Sequence, residues 1–255
     1  MRVHVALYPA EFPDAPLSGR TALAIDVLRA TSAAVAACEA GCRRLVAVAD
    51  AEAAEAFAAR DGADTVRAGE RGGEPLAGFD LGNSPAEFTA ATVGQRTVVL
   101  TTTNGTAAML AASRAAAAGL AALTNVGAAA RWALEEGRDV SILCAGDSGA
   151  LSLEDTVCAG VLVARLSLAT SPVLSDGATT ALALGRYFGE RLDRLAMASA
   201  WARRLARLGR EADVAACLRA DVSEVVPVFA VDAFVPRRVP AGGGLAAAAR
   251  PESGS

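Results

Sequence analysis

"RTVVLTTTNGTAAMLAAS", residues 96–113, passes from an apolar run through a hydroxyl- and amide-rich turn into an alanine-rich stretch. The run "RTVVLTT" reads as a buried strand, and "TAAMLAASRAAAAG" reads as a helix ending at Gly119. Strand, polar turn and helix in direct succession are the unit from which parallel sheets are built. Such a turn either caps the helix or holds an anion, and the two uses are compatible because both draw on the same unsatisfied N–H groups.

The pattern repeats on either side. "VHVALYP" and "RTALAID" read as strands, "SAAVAACEAG" as a helix closed by Gly41, and "RRLVAVAD" as a strand. "AEAAEAFAARDG" is a helix ending at Gly62, followed by the weaker strand "DTVRAGE"; "AALTN" and "VSILCAG" complete the set. Residues 152–220 are mainly helical with a break near 170–177, and "VVPVFAVDAFVP" offers one or two late strands. The expected fold is α/β, a mostly parallel or mixed sheet flanked by helices in three α/β/α layers. Residues 1–239 are expected to form one domain and the Gly/Pro-rich 240–255 a disordered tail.

Composition narrows the chemistry. No apolar run reaches the roughly 18–20 residues of a membrane span, and the N-terminus reads as a strand, not a signal peptide. A cytoplasmic location is therefore expected. Five scattered cysteines fit small buried hydrophobes in a reducing compartment. All 24 basic residues are arginine and the only histidine is His4. The absence of lysine removes a standard P-loop and Schiff-base chemistry, and a lone histidine on an N-terminal strand disfavours a Ser-His-Asp triad. The net charge of −4 argues against a nucleic-acid partner. The arginines of 191–210 read as the solvated face of an amphipathic helix.

Residues that follow strands gather at the carboxyl edge of a parallel sheet, where ligands bind. Asp26 and Arg29 follow one strand, Glu70 and Arg71 follow "DTVRA", the Thr/Asn/Gly turn follows a third, and Asp147 with "SLED" follows a fourth. A buried Asp26 needs a partner, and Arg29 is a candidate for an ion pair with it. Ser152 with Asp155 is a variant of the capping box, and Asn104 is either an N-cap or a ligand contact. "GERGGEPLAGFDLGNSP" (69–85) lacks periodicity and reads as a functional loop. "CEAGCRR" has the C-x5-R spacing of cysteine phosphatases, but it follows a helix and precedes a strand. The carbonyl end of a helix repels the anion that chemistry must hold.

Taken together, "DVLRATS", "GERGGEPLAGFDLGNSP", "TTTNGT", "CAGDSGALSLEDTVCAG" and "DVSEVVPVF" resemble the 2-phosphosulfolactate phosphatase (ComB) family, in the same order over residues 20–230. The resemblance implies an α/β, magnesium-dependent phosphatase that converts 2-phosphosulfolactate to sulfolactate, in methanogens on the route to coenzyme M. Carried over residue by residue, it implies a catalytic set of Asp26, Arg29, Glu70 and Arg71. Thr31, Asn83, Ser84, Thr102, Thr103, Asn104, Gly105 and Thr106 are implied to bind substrate, and Asp26, Asp80, Glu154 and Asp155 to hold Mg2+. Asp26 is a nucleophile or a metal ligand, and Glu154 and Asp155 are metal ligands or a general base; the pattern leaves these roles open. Magnesium takes hard oxygen ligands, and arginine binds oxyanions through forked hydrogen bonds, so both suit a small, highly anionic phosphorylated substrate. Two other readings share these motifs: a phosphatase of the same fold for another anionic ester, and a non-catalytic anion-binding module. Apolar helix faces in 153–215 would serve a homodimer or the core.

Overall fold

A computed structural model describes residues 1–241; most of the expected tail, 242–255, lies outside the described residues. In chain order the main elements are β1 (Arg2–Ala6), β2 (Thr21–Ile25), α1 (Ala30–Glu39), β3 (Arg44–Ala47), α2 (Ala51–Asp61), β4 (Thr65–Arg71) and β5 (Glu74–Pro75). There follow α3 (Ala90–Val93), β6 (Thr97–Thr101), α4 (Gly105–Ala112), β7 (Ala117–Ala121), α5 (Val126–Glu135) and β8 (Val140–Cys144). The last third holds α6 (Leu153–Ala169), β9 (Val173–Leu174), α7 (Asp176–Phe188), α8 (Leu192–Ala198), α9 (Ala200–Arg207), α10 (Glu211–Cys217), β10 (Val225–Ala230) and β11 (Ala233–Arg238).

These strands form one 11-stranded sheet in the order β5-β4-β6-β3-β11-β10-β7-β2-β8-β1-β9. β4, β6 and β3 are mutually parallel, as are β7, β2, β8, β1 and β9. Between these blocks lies the antiparallel hairpin of β10 and β11. It meets β7 only at Val228–Gly119 and β3 only at Phe234–Leu45. Three antiparallel pairings in succession reverse the strand direction, so the two parallel blocks run opposite ways along the sheet. Strand twist accumulates across the sheet, and α4 touches β3 and β6 of one block and β2, β7 and β8 of the other. The sheet is thus wrapped around α4, which brings strand ends from both blocks to one place.

Alternation along β2 shows how the layers are held. Ala22 and Ala24 face one core with Ala30, Ala33 and Ala37 of α1 and Ala108, Met109 and Ala112 of α4. Leu23 and Ile25 face the opposite core with Trp132 of α5 and Leu162 of α6, as a period of two requires. Alanine on one side lets α1 and α4 approach the sheet closely; leucine, isoleucine and tryptophan fill the deeper space on the other. Helices on both faces give the expected α/β/α arrangement. No helix among the described residues is long and apolar enough to cross a membrane.

Three local expectations are corrected. The helix expected to run to Gly119 stops at Ala112, and Gly119 lies inside strand β7. Helix propensity of the alanines yields there to pairing with β2 over Thr21–Ile25, and a Cβ at Gly119 would stand 2.7 Å from the Trp132 ring. Of "AALTN", only Ala121 belongs to a strand; Leu123–Asn125 form a turn of 3₁₀ helix. The single helix expected over 191–210 is two, α8 and α9, broken at Ser199, whose side chain caps α9.

Candidate active site

Asp26 is the first residue after β2 and is almost wholly buried. Its main chain is pinned by Thr31: the Asp26 carbonyl accepts from Thr31 N (2.9 Å) and Oγ1 (2.8 Å), while Asp26 N donates to Thr31 Oγ1 (3.0 Å). Asp26 Oδ1 accepts from Ala30 N at 3.1 Å. Oδ2 points to the first turn of α4, where a Cβ on Gly105 would lie 2.6 Å from it. Burial pushes the Asp26 carboxyl up to about 7; the Ala30 N–H works against the rise, Glu70 and Glu154 add to it, and Arg29 draws it down slightly.

The opening turn is a cap and something more. Thr102 Oγ1 accepts from Thr106 N at 3.1 Å, and Thr106 Oγ1 donates to the Thr102 carbonyl at 3.2 Å. Both hydroxyl oxygens thus help to start α4, while the Thr102 O–H keeps its own proton to donate. Asn104 does not cap the helix; its Oδ1 accepts from Ser148 N at 3.2 Å, tying the turn to the loop after β8. The N–H groups of Asn104 and Gly105 have no acceptor among the described residues, and they are the unsatisfied donors of a helix N-terminus beside Asp26.

Glu70, at the end of β4, joins two loops. Oε1 accepts from Thr103 N and Oε2 from Gly73 N, each at 2.7 Å. The Thr103 side chain accepts from Gly72 N at 3.2 Å. Arg71, expected beside the substrate, instead donates to the Glu70 carbonyl (2.7 Å) and to Thr101 Oγ1 (3.0 Å). Arg29 lies in the cavity, but the expected ion pair with Asp26 is not made. Its NH1 donates to Asp213 Oδ2 (2.5 Å) and its NH2 to the Gly73 carbonyl (2.7 Å).

Two acids of α6 complete the centre. Asp155 accepts from Val27 N (2.8 Å) through Oδ1 and from Gly146 N (3.1 Å) through Oδ2, so it fastens the ends of β2 and β8 together. Its own N–H donates to Ser152 Oγ, the expected cap. Glu154 Oε2 accepts from Ser199 Oγ at 2.8 Å. Burial raises both carboxyls above their usual range; Asp26 and then Glu154 add to the rise at Asp155. Asp80 sits apart, in an ion pair with Arg67 at 3.2 Å on a half-exposed surface.

Asp26, Leu28, Arg29, Glu70, Asn83, Thr103, Asn104 and Trp201 line a small, tightly closed cavity. Asn83 is 3% exposed and its Oδ1 has no partner. Ser84 donates to Asp213 Oδ1 at 2.5 Å. Sequence reasoning missed Asp213, Trp201 and Ser199. Asp213 had a signal: it shares the buried face of α10 with Val214 and Cys217, and an acid on an apolar helix face needs a partner. Trp201, whose Nε1 donates to the Leu28 carbonyl at 2.8 Å, and Ser199 had none beyond their residue type.

Among the described residues no group of three or more His, Cys, Asp or Glu is arranged to hold a metal. Magnesium commonly takes only one or two protein carboxylates. Asp26 and Glu154 are buried hard-oxygen donors that no arginine pairs with, which is the donor chemistry such an ion takes.

A buried acid with an open oxygen, set against a helix N-terminus and sharing its cavity with an arginine, is the equipment of an enzyme for small anionic esters. The family model for 2-phosphosulpholactate phosphatase matches residues 6–231. A probable 2-phosphosulfolactate phosphatase of Thermus thermophilus is 42% identical over 234 residues, 90% of this chain and 94% of that protein. One from Deinococcus radiodurans is 41% identical over 240 residues, 92% and 96% of the two chains. One from Synechococcus sp. is 38% identical over 225 residues, 86% and 92%. The chain belongs to the 2-phosphosulfolactate phosphatase family, a family of phosphoric monoester hydrolases.

Proposed function

We propose that the chain is a magnesium-dependent phosphatase that hydrolyses 2-phosphosulfolactate to sulfolactate and phosphate. The observation that carries this reading is Asp26 Oδ2, an open oxygen aimed at the first turn of α4 beside two unspent backbone N–H groups. Those N–H groups would donate to phosphoryl oxygens, and Gly105 keeps the approach clear. Asp26 changes protonation near neutral pH, which suits a group that attacks phosphorus or holds a cation there. Glu154, fixed by Ser199, is the second acid of the pair. Asp26 and Glu154 would hold Mg2+, which when bound neutralises charge on the phosphoryl group. Asp155 and Glu70 keep the loops of four strands in register.

The substrate name rests on the relatives' names, and the strongly anionic character of 2-phosphosulfolactate suits Arg29. Cytoplasmic action belongs to the same proposal. So does a homodimer, for which the apolar groove holding Leu192 and the two-thirds-exposed Met197 offers a surface. The test is phosphate release from 2-phosphosulfolactate, 2-phospholactate and an aryl phosphate, with Mg2+ and with chelator. Selective, Mg2+-dependent release is expected. Equal turnover of every ester would remove the named substrate, and saturable binding without release would favour an anion-binding module.

A further inference from the structure

Arg29 and Ser84 converge on Asp213 of α10, a residue outside all the motifs above. It is buried, and each of its oxygens is 2.5 Å from one of these two partners. With the Gly73 carbonyl on the other terminal nitrogen, the guanidinium is held at two corners. The other N–H donors of this five-donor group have no acceptor among the described residues. The residue before Ser84 is Asn83, buried in the same cavity with its side-chain oxygen unpartnered. Buried polar groups left in this state are costly unless a ligand meets them. Asp26 and the α4 N-terminus border the cavity elsewhere, so it presents two separate sets of groups suited to a substrate with two charged ends.

We propose that Asp213 is a positioning residue that aims Arg29, with Asn83 beside it, at a second anionic group, carboxylate or sulfonate, of an ester whose phosphoryl group lies at Asp26. The proposal rests on the phosphatase reading. Without Asp213, the flexible Arg29 has Asp26 and Glu70 as competing carboxylates in the same cavity, and the second anion loses its fixed partner. Asp213 thereby governs selectivity for doubly anionic esters.

The experiment compares kcat/KM on 2-phospholactate, which has two anionic groups, and 4-nitrophenyl phosphate, which has only the phosphoryl group. Asp213→Ala is expected to lose about tenfold to a hundredfold on 2-phospholactate, chiefly in KM, with a clearly smaller loss on the aryl ester. Asp213→Asn keeps an acceptor for Arg29 and should regain most of the lost selectivity while remaining severalfold below the parent. Equal losses on both esters, or unchanged selectivity, would overturn the proposal. If the alanine variant does not fold, unchanged selectivity in Asp213→Asn overturns it alone. A parent enzyme that releases phosphate from neither ester nor from 2-phosphosulfolactate removes the phosphatase reading and this proposal with it; where only 2-phosphosulfolactate is turned over, an unchanged KM for it in Asp213→Ala overturns this proposal alone.

Discussion

Gly105 and Asp26 are packed so tightly that a side chain on the first would displace the carboxylate of the second: an added Cβ would stand 2.6 Å from Asp26 Oδ2 and would also meet the Ala30 side chain. Gly105→Ala should therefore lower kcat/KM by on the order of a hundredfold or more and cost about 1–3 kcal/mol of stability. Steady-state kinetics and urea unfolding read the two effects. A fully active variant would show that the approach of α4 to Asp26 is not part of the site.

Asp26→Asn keeps an oxygen for the Ala30 N–H and removes a buried negative charge. Turnover should fall on the order of a thousandfold or more. In chelator at pH 8 the variant should be more stable than the parent, by about 1–2 kcal/mol, because the parent keeps an acid there for function. Loss of activity together with loss of stability would mean that the carboxylate is structural.

The titration of Asp26 has a definite sign. Its folded-state pKa of about 7 lies above the unfolded value of 3.8, so between these values the folded state binds more protons and stability falls as pH rises. In chelator, the melting temperature should drop between pH 5 and pH 8 by more in the parent than in Asp26→Asn. Added Mg2+ should raise it more at pH 8 than at pH 5, because the cation competes with the proton. A magnesium effect independent of pH would separate the ion from Asp26.

Glu70 and Asp80 come from the same loop region and should differ sharply. Glu70→Ala strands a buried N–H at Gly73 and a part-buried one at Thr103 and should cost about 1–3 kcal/mol, with a large fall in activity. Asp80→Ala breaks a half-exposed pair with Arg67 and should cost less than about 1 kcal/mol, with turnover within about twofold. Thermal melts and phosphate release distinguish them. A collapse of activity in Asp80→Ala would give that carboxylate a part in the reaction.

Much of this was legible in the sequence. The strand-then-polar-turn pattern located Asp26, Glu70 and Thr102–Thr106 because a parallel strand must end where its ligand begins. The division of labour was less visible. Thr102 and Thr106 use their hydroxyl oxygens to start the helix, Arg29 turns to Asp213 instead of Asp26, and Asp155 spends both oxygens on backbone N–H groups. Each depends on a residue more than 100 positions away or on which way a side chain turns within its own loop, and local spacing encodes neither. Gly119 misled for the opposite reason: its neighbours have strong helix propensity, which the sheet overrides.

The hairpin of β10 and β11, the last of the described elements to leave the ribosome, is the sole sheet connection between the two parallel blocks. A nascent chain that has made β8 and α6 already owns Asp26, Glu70, Thr103 and Glu154, yet its two half-sheets still end in open edges at β3 and β7. Such edges invite pairing with another chain. The order of synthesis therefore makes the final strands a closing seam: until they are in place the enzyme is exposed to aggregation, and shortening the chain before Val225 would leave that seam open for good.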